Sequence, residues 1–165
     1  KMISRGFIEE PITLYRNLSN LSATEKLANS LAPLLQKSDV ITLYGELGAG
    51  KTSFARALIK KLGYKGEVPS PTFTLVQTYN LESINVWHFD LYRILDPEEL
   101  IELDIEEAMR QSVLLIEWPQ RMGNRLPNNR LDIKLNYTEN EISRMAIITG
   151  HGHWSSRLKQ VSNEL

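Results

Sequence analysis

Gly45-Glu46-Leu47-Gly48-Ala49-Gly50-Lys51-Thr52 is the stretch that decides the fold. It fits G-x-x-x-x-G-K-[ST], the phosphate-binding loop, at every position. Successive backbone N–H groups of such a loop must converge on phosphate oxygens, and a Cβ at the tightest points would block that approach. A helix starting near Lys51 adds the positive end of its dipole. Lys51 reaches the β- and γ-phosphates, the Thr52 hydroxyl ligates magnesium, and Ser53 on the same first turn joins the cofactor-binding set. At average residue frequencies chance produces the pattern in roughly 0.5 % of chains of this length. The flanks argue further against chance. Val40 to Tyr44 is a short apolar run that reads as a buried strand. Lys51 to Leu62 places Phe54, Ala55, Leu58 and Leu62 at a helical period, and Gly63 stops it.

Working outward, Phe7 to Tyr15 reads as a first strand that Pro11 pushes toward a sheet edge. Ser22-Ala-Thr-Glu25 has capping-box spacing for a helix toward Leu35, with Pro33 predicting a kink or early end. Thr72 to Tyr79 and Ile84 to Asp90 are strands around a turn at Asn80–Ser83. Asp96-Pro97-Glu98-Glu99 is an N-cap followed by a first-turn proline. Val113 to Ile116 is another buried strand, and Leu131 to Tyr137 with Ile142 to Ile148 form a late hairpin. A terminal helix is expected from Trp154. The expectation is one α/β P-loop NTPase domain over residues 1–165, with a central mixed, mainly parallel sheet flanked by helices.

A phosphate-binding loop needs an acid at the end of a nearby strand to hold magnesium or its water shell. Val113-Leu-Leu-Ile116 ends in Glu117 and Val86-Trp-His-Phe89 ends in Asp90, so both emerge at the carboxyl edge, where ligands bind open α/β sheets. His88 reads as a hydrogen-bonded structural residue, Trp118 as core or site lining, and Arg93 as a phosphate contact or a salt bridge.

Composition excludes other classes. Nineteen basic against twenty acidic residues among 165 leave a net charge of −1, which gives no reason for a general nucleic-acid coat or membrane-surface binding. There is no cysteine, hence no disulfide framework or thiolate metal site. The apolar runs are too short to span a bilayer, and Lys1-Met-Ile-Ser-Arg5 lacks the apolar region of a secretory signal. A cytoplasmic protein without membrane partners is expected.

Several blocks occur in a telling order: the phosphate-binding loop with Leu47-Gly48-Ala49 inside, Ser70-Pro-Thr-Phe73, His88-Phe-Asp-Leu-Tyr-Arg93, Asp96-Pro-Glu-Glu-Leu100 and Glu117-Trp-Pro119. The series resembles the bacterial TsaE (YjeE) ATPases of tRNA threonylcarbamoyladenosine biosynthesis, strongly from Ser19 to Pro119. From Gln120 to Leu165 it rests on length and strand pattern. The resemblance implies an ATP- and Mg2+-dependent ATPase assisting the TsaD–TsaB complex, with tRNA met through that complex. It implies Thr52 and Glu117 as magnesium ligands and Asp90 as a catalytic or magnesium-shell residue. Ser70-Pro71-Thr72 would be a loop sensing the γ-phosphate, and Leu21 to Thr24 would flank the base.

Three rivals remain open at this point. A small-metabolite kinase would need a lid, for which Arg121 and Arg125 are the available arginines. A GTPase switch lacks its Asn-Lys-x-Asp box, which Asn128-Asn-Arg-Leu-Asp132 does not supply. A nucleotide-gated adaptor with negligible turnover would need the same cradle.

Overall fold

Residues 9–165 are described by the computed structural model. In chain order the elements are β1 (Ile12–Leu18), α1 (Leu21–Leu31), β2 (Val40–Tyr44), α2 (Lys51–Lys61), β3 (Val76–Asn80), β4 (Asn85–Asp90), α3 (Ile105–Gln111), β5 (Val113–Glu117), β6 (Arg130–Tyr137), β7 (Arg144–His151) and α4 (His153–Val161). The strands form one seven-stranded sheet in the order β1-β7-β6-β2-β5-β4-β3. β2 pairs in parallel with both β5 and β6, and β5 in parallel with β4. β7 runs against β6 and β1, and β3 runs against β4. Thus β1, β2, β4, β5 and β6 share one direction, the mixed, mainly parallel sheet expected.

The sheet buries apolar side chains on both faces, which is why β2 and β5 read as continuous apolar runs. On one face Ile41, Leu43, Leu115 and Ile133 pack with Leu31 of α1, Phe54 and Leu58 of α2 and Leu158 of α4. On the other, Val40, Leu114, Ile116 and Phe89 pack with Ile105 and Ala108 of α3 and with Met122. Two buried faces fix the register of β2, so the loop that follows it leaves the sheet at a defined point.

Local chemistry moved some boundaries. Asn20, not Ser22, caps α1, its side chain accepting from Ala23 N at 3.0 Å, so the helix begins one residue before the expected cap. Pro33 ends the helix early, in a short 3₁₀ turn over Ala32–Leu34. The segment after Asp96 is a 3₁₀ helix, Pro97–Leu103, closed by a full capping box between Asp96 and Glu99. The first strand starts at Ile12 and does form a sheet edge; the part of the expected strand over Phe7 and Ile8 lies outside the described residues. Residues 72–74 form a turn, so β3 starts only at Val76. Among the described residues no helix is long and apolar enough to cross a membrane.

Candidate phosphate site at the carboxyl edge of the sheet

The glycine-rich loop connects the end of β2 to the start of α2, with Gly50 in the N-cap position at φ 111°. Gly45 (φ 151°) and Gly48 (φ 80°) also take positive φ, a conformation L side chains rarely adopt. A Cβ at Gly45 would lie 2.8 Å from the carbonyl oxygen of Leu135 in β6, and one at Gly48 2.9 Å from the Tyr137 hydroxyl. Space as well as conformation therefore requires glycine there. Glu46, Leu47 and Gly48 are exposed at the loop's crest, while Ala49 is buried beneath it.

Lys51 is 5 % exposed, and its ammonium donates to Gly45 O and, at 2.9 Å, to Glu46 O. It also lies over the Trp118 ring, 4.6 Å from the centroid. Burial pushes the Lys51 pKa down from its ordinary value, and the negative charges of Glu117 and Asp90 partly oppose that shift.

Asp90 and Glu117 are register partners at the ends of the parallel strands β4 and β5, so the two acids stand side by side. Both are buried. Glu117 Oε1 accepts from the Thr52 hydroxyl at 3.0 Å, and Oε2 meets His88 Nε2 at 2.7 Å. The Nδ1 of His88 is buried with no partner among the described residues, so the ring proton belongs on Nε2, donating to Glu117. His88 is thus a hydrogen-bonded residue, as read from the sequence, and its partner is the strand-end acid Glu117.

Asp90 Oδ1 accepts from the backbone N of Tyr92 at 3.0 Å and Oδ2 from the Thr72 hydroxyl at 3.2 Å. Ser70 Oγ lies 2.7 Å from Thr72 Oγ1. Thr72 spends its one proton on Asp90, so Ser70 donates to Thr72. The segment Val68–Thr72 is therefore tied at one end to Asp90 and at the other to α2, where Arg56 Nε donates to Val68 O at 2.9 Å.

Trp118 adopts φ 56°, ψ 49°, a left-handed conformation that is costly for a bulky residue, more so before a proline. The cost is on the order of 1–3 kcal/mol. The result is a ring held between Lys51 and Tyr92, whose centroid is 4.9 Å away. Among the described residues Arg93 lies in no ion pair; its guanidinium stacks 4.5 Å over the exposed Phe73 ring. Beside Ser53, a groove of about 500 Å³ runs between α1 and α2, lined by Leu21, Glu25 and Asn29 facing Ser53, Arg56 and Lys60. Leu21 lines this groove, whereas Thr24 is buried at 5 % exposure and does not.

The sequence reading assigned nothing to Tyr137 and Arg144, yet both reach the loop. The Tyr137 hydroxyl donates to Leu47 O, and Arg144 donates to Ala49 O and Gly48 O. The only signal in the sequence is a pair of polar-tipped side chains flanking a hairpin turn, which does not say what the hairpin touches.

A family model described as Threonylcarbamoyl adenosine biosynthesis protein TsaE matches residues 18–146, a span reaching beyond Pro119 and through both hairpin residues. A Rickettsia conorii protein named tRNA threonylcarbamoyladenosine biosynthesis protein TsaE is 40 % identical over 135 residues, 81 % of this chain and 77 % of that one. The Bacillus subtilis protein of the same name is 40 % identical over 114 residues, 69 % of this chain and 72 % of its own. The crystal structure of Bacillus subtilis YdiB superposes with a TM-score of 0.78 at 28 % identity, covering 94 % of this chain and 98 % of that one. With the ordered motifs gathered at one edge of the sheet and similarity running from β1 into β7, the chain belongs to the TsaE family.

Proposed function

We propose that this protein is a magnesium-dependent ATPase that supports a TsaD–TsaB complex in forming threonylcarbamoyladenosine on tRNA. The observation that carries the chemistry is the 3.0 Å hydrogen bond from Thr52 to Glu117, which joins the loop hydroxyl to a strand-end acid. Hydroxyl and carboxylate are hard oxygen donors, the set a magnesium ion takes, often through its water shell. Thr52 and Glu117 would hold that ion, with Asp90 beside them. Bound there, magnesium would neutralise charge on the β- and γ-phosphate oxygens. Lys51 would place its ammonium on the same phosphates, and residues Gly45 to Ser53 would present backbone N–H groups. Leu21 and the α1–α2 groove would receive the base. Asp90 would orient water or respond to the γ-phosphate through Thr72.

The kinase alternative is disfavoured at Arg125, one of its two candidate lid arginines. Arg125 is held by Glu98 at 3.0 Å and Glu106 at 2.9 Å, and its segment Pro119–Arg125 is a 3₁₀ stretch broken at Gly123. The role with TsaD–TsaB and tRNA rests on family membership.

The test combines calorimetry and binding. Lys51→Ala should weaken ATP binding roughly 10- to 150-fold, the effect of losing a charge-assisted contact of 1.5–3 kcal/mol. Affinity for a TsaD–TsaB complex should differ between ATP-like and ADP states by about 5- to 150-fold. Thr72→Ala should shrink that difference without abolishing ATP binding. Binding that ignores the nucleotide within twofold would remove the switch and leave an ATPase of another purpose. Turnover at background with and without the complex would leave an adaptor.

A further inference from the structure

In a trans peptide the N–H and C=O point to opposite sides, so a loop that aims its amides inward turns carbonyls outward. Here one hairpin meets three consecutive outward carbonyls. The Tyr137 hydroxyl donates to Leu47 O at 2.8 Å. Arg144 Nη2 donates to Gly48 O at 3.4 Å and Nε to Ala49 O at 3.2 Å. Tyr137 and Arg144 are register partners at the closing end of β6 and β7, and the guanidinium lies 4.2 Å above the Tyr137 ring. Arg144 Nη1 donates back to Ser143 O at 2.9 Å and also to Glu141 O, so the turn between the strands fixes the arginine in place.

We infer that Tyr137 and Arg144 are positioning residues for nucleotide binding, setting the loop's peptide planes before the ligand arrives. This rests on the reading of the loop as a nucleotide cradle. The plane of Leu47 O carries the Gly48 N–H, and the plane of Ala49 O carries the Gly50 N–H. The intervening Ala49 N–H is already committed, donating to Glu46 O at 3.0 Å. The hairpin therefore acts on the two glycine amides that the loop's own hydrogen bonds leave free to turn. Fixing them in advance lowers the ordering cost of binding, which is what preorganisation means energetically. Arg144 adds a permanent positive charge behind the loop, and its planar fork holds two carbonyls from two nitrogens at a fixed angle, a geometry that the single nitrogen of a lysine does not impose.

The experiment is calorimetry of ADP and of magnesium-ATP on four variants: Tyr137→Phe, Arg144→Lys, Arg144→Gln and Lys51→Ala. Backbone 15N relaxation and melting of the nucleotide-free proteins accompany it. Tyr137→Phe removes one hydroxyl and nothing else, and should weaken ADP and ATP alike, about 2- to 10-fold. Arg144→Lys should fall between the parent and Arg144→Gln, because it keeps charge and loses the fork. Backbone order parameters at Gly48 and Gly50 should fall in all three hairpin variants, with melting within about 2 °C of the parent. A brace that served stability alone would lower the melting temperature and leave affinity and those two amides unchanged. Affinities within twofold for Tyr137→Phe and Arg144→Lys, alongside a tenfold loss in Lys51→Ala, would overturn the inference while sparing the nucleotide site. Unchanged affinity in Lys51→Ala as well would remove the nucleotide reading, and the positioning role with it.

Discussion

The Thr52 hydroxyl donates to Glu117 Oε1 across 3.0 Å, joining the end of the glycine-rich loop to the end of β5, 65 positions later. His88 holds the other oxygen of the same carboxylate, so Glu117 enters the site with its orientation already set. Glu117→Gln keeps the shape and an acceptor for Thr52 while removing the charge. The expected outcome is a rise of about tenfold or more in the magnesium concentration for half-maximal hydrolysis, with the fold retained. A magnesium titration of turnover is the check, and an unmoved midpoint would leave Glu117 as a strand-end anchor.

Asp90 occupies the neighbouring strand end but is bonded to the Val68–Thr72 segment instead of the loop. Asp90→Asn should therefore lower kcat more than it weakens ATP binding, the mark of an interaction stronger in the transition state than in the ground state. Single-turnover kinetics beside calorimetry separates the two effects. An equal loss in both would assign Asp90 to ground-state binding.

Lys51 gives a pH prediction with a definite sign. Burial lowers its folded pKa below its ordinary, unfolded value. Between the two values the unfolded chain binds more protons, so this lysine's contribution makes stability rise with pH there, and its destabilising effect is largest below the folded pKa. Lys51→Met removes the charge at similar volume. The variant should unfold at a higher temperature than the parent at neutral pH, and the gap should narrow as pH approaches the ordinary lysine value. Melting curves of the nucleotide-free pair across alkaline pH measure it; a gap that widens with pH would contradict the assignment.

Two glycines separate conformation from collision. Gly63 has φ 120° with nothing within 4 Å of an added Cβ, whereas Gly45 has φ 151° and meets Leu135 O at 2.8 Å. Gly63→Ala should cost only backbone strain, about 1 kcal/mol, and leave nucleotide binding alone. Gly45→Ala adds a backbone clash with β6, and should lose several kcal/mol of stability and also nucleotide affinity. Chemical denaturation with calorimetry on the two variants decides it.

What the sequence made legible follows how local each signal is. The loop, its helix and both strand-end acids were readable because apolar runs and their terminal residues are contiguous. The P-loop pattern called for an acid at a nearby strand end, while the direct bond from Thr52 to Glu117 is visible only in the fold. The α1 cap was misplaced because Ser22 and Asn20 both offer capping side chains, and only the backbone shows that Asn20 accepts from Ala23. The 72–74 turn was read as strand because Thr72 and Phe73 are β-formers, yet Pro71 O accepts from Leu75 N at 2.8 Å and closes a turn instead. Arg93 was offered a phosphate or a carboxylate and took an aromatic face, a choice set by which loop folds over it. Tyr137 and Arg144 were invisible as site residues because their partners lie 90 to 96 positions away.

Placing β2 between β5 and β6 also has consequences in time. During synthesis the loop and its helix emerge long before either neighbour of their strand, and β6 arrives after every motif shared in the ordered series. Nonlocal parallel pairing is slow, because the entropy of closing long loops is lost before contacts repay it. Until residues 130–144 are made, Gly45 lacks the Leu135 backbone it packs against and the crest lacks its donors. A nascent chain stopped at Pro119 would carry the whole signature and no finished cradle, so competence to bind nucleotide comes late in the life of each new molecule, set by the segment with the least recognisable sequence.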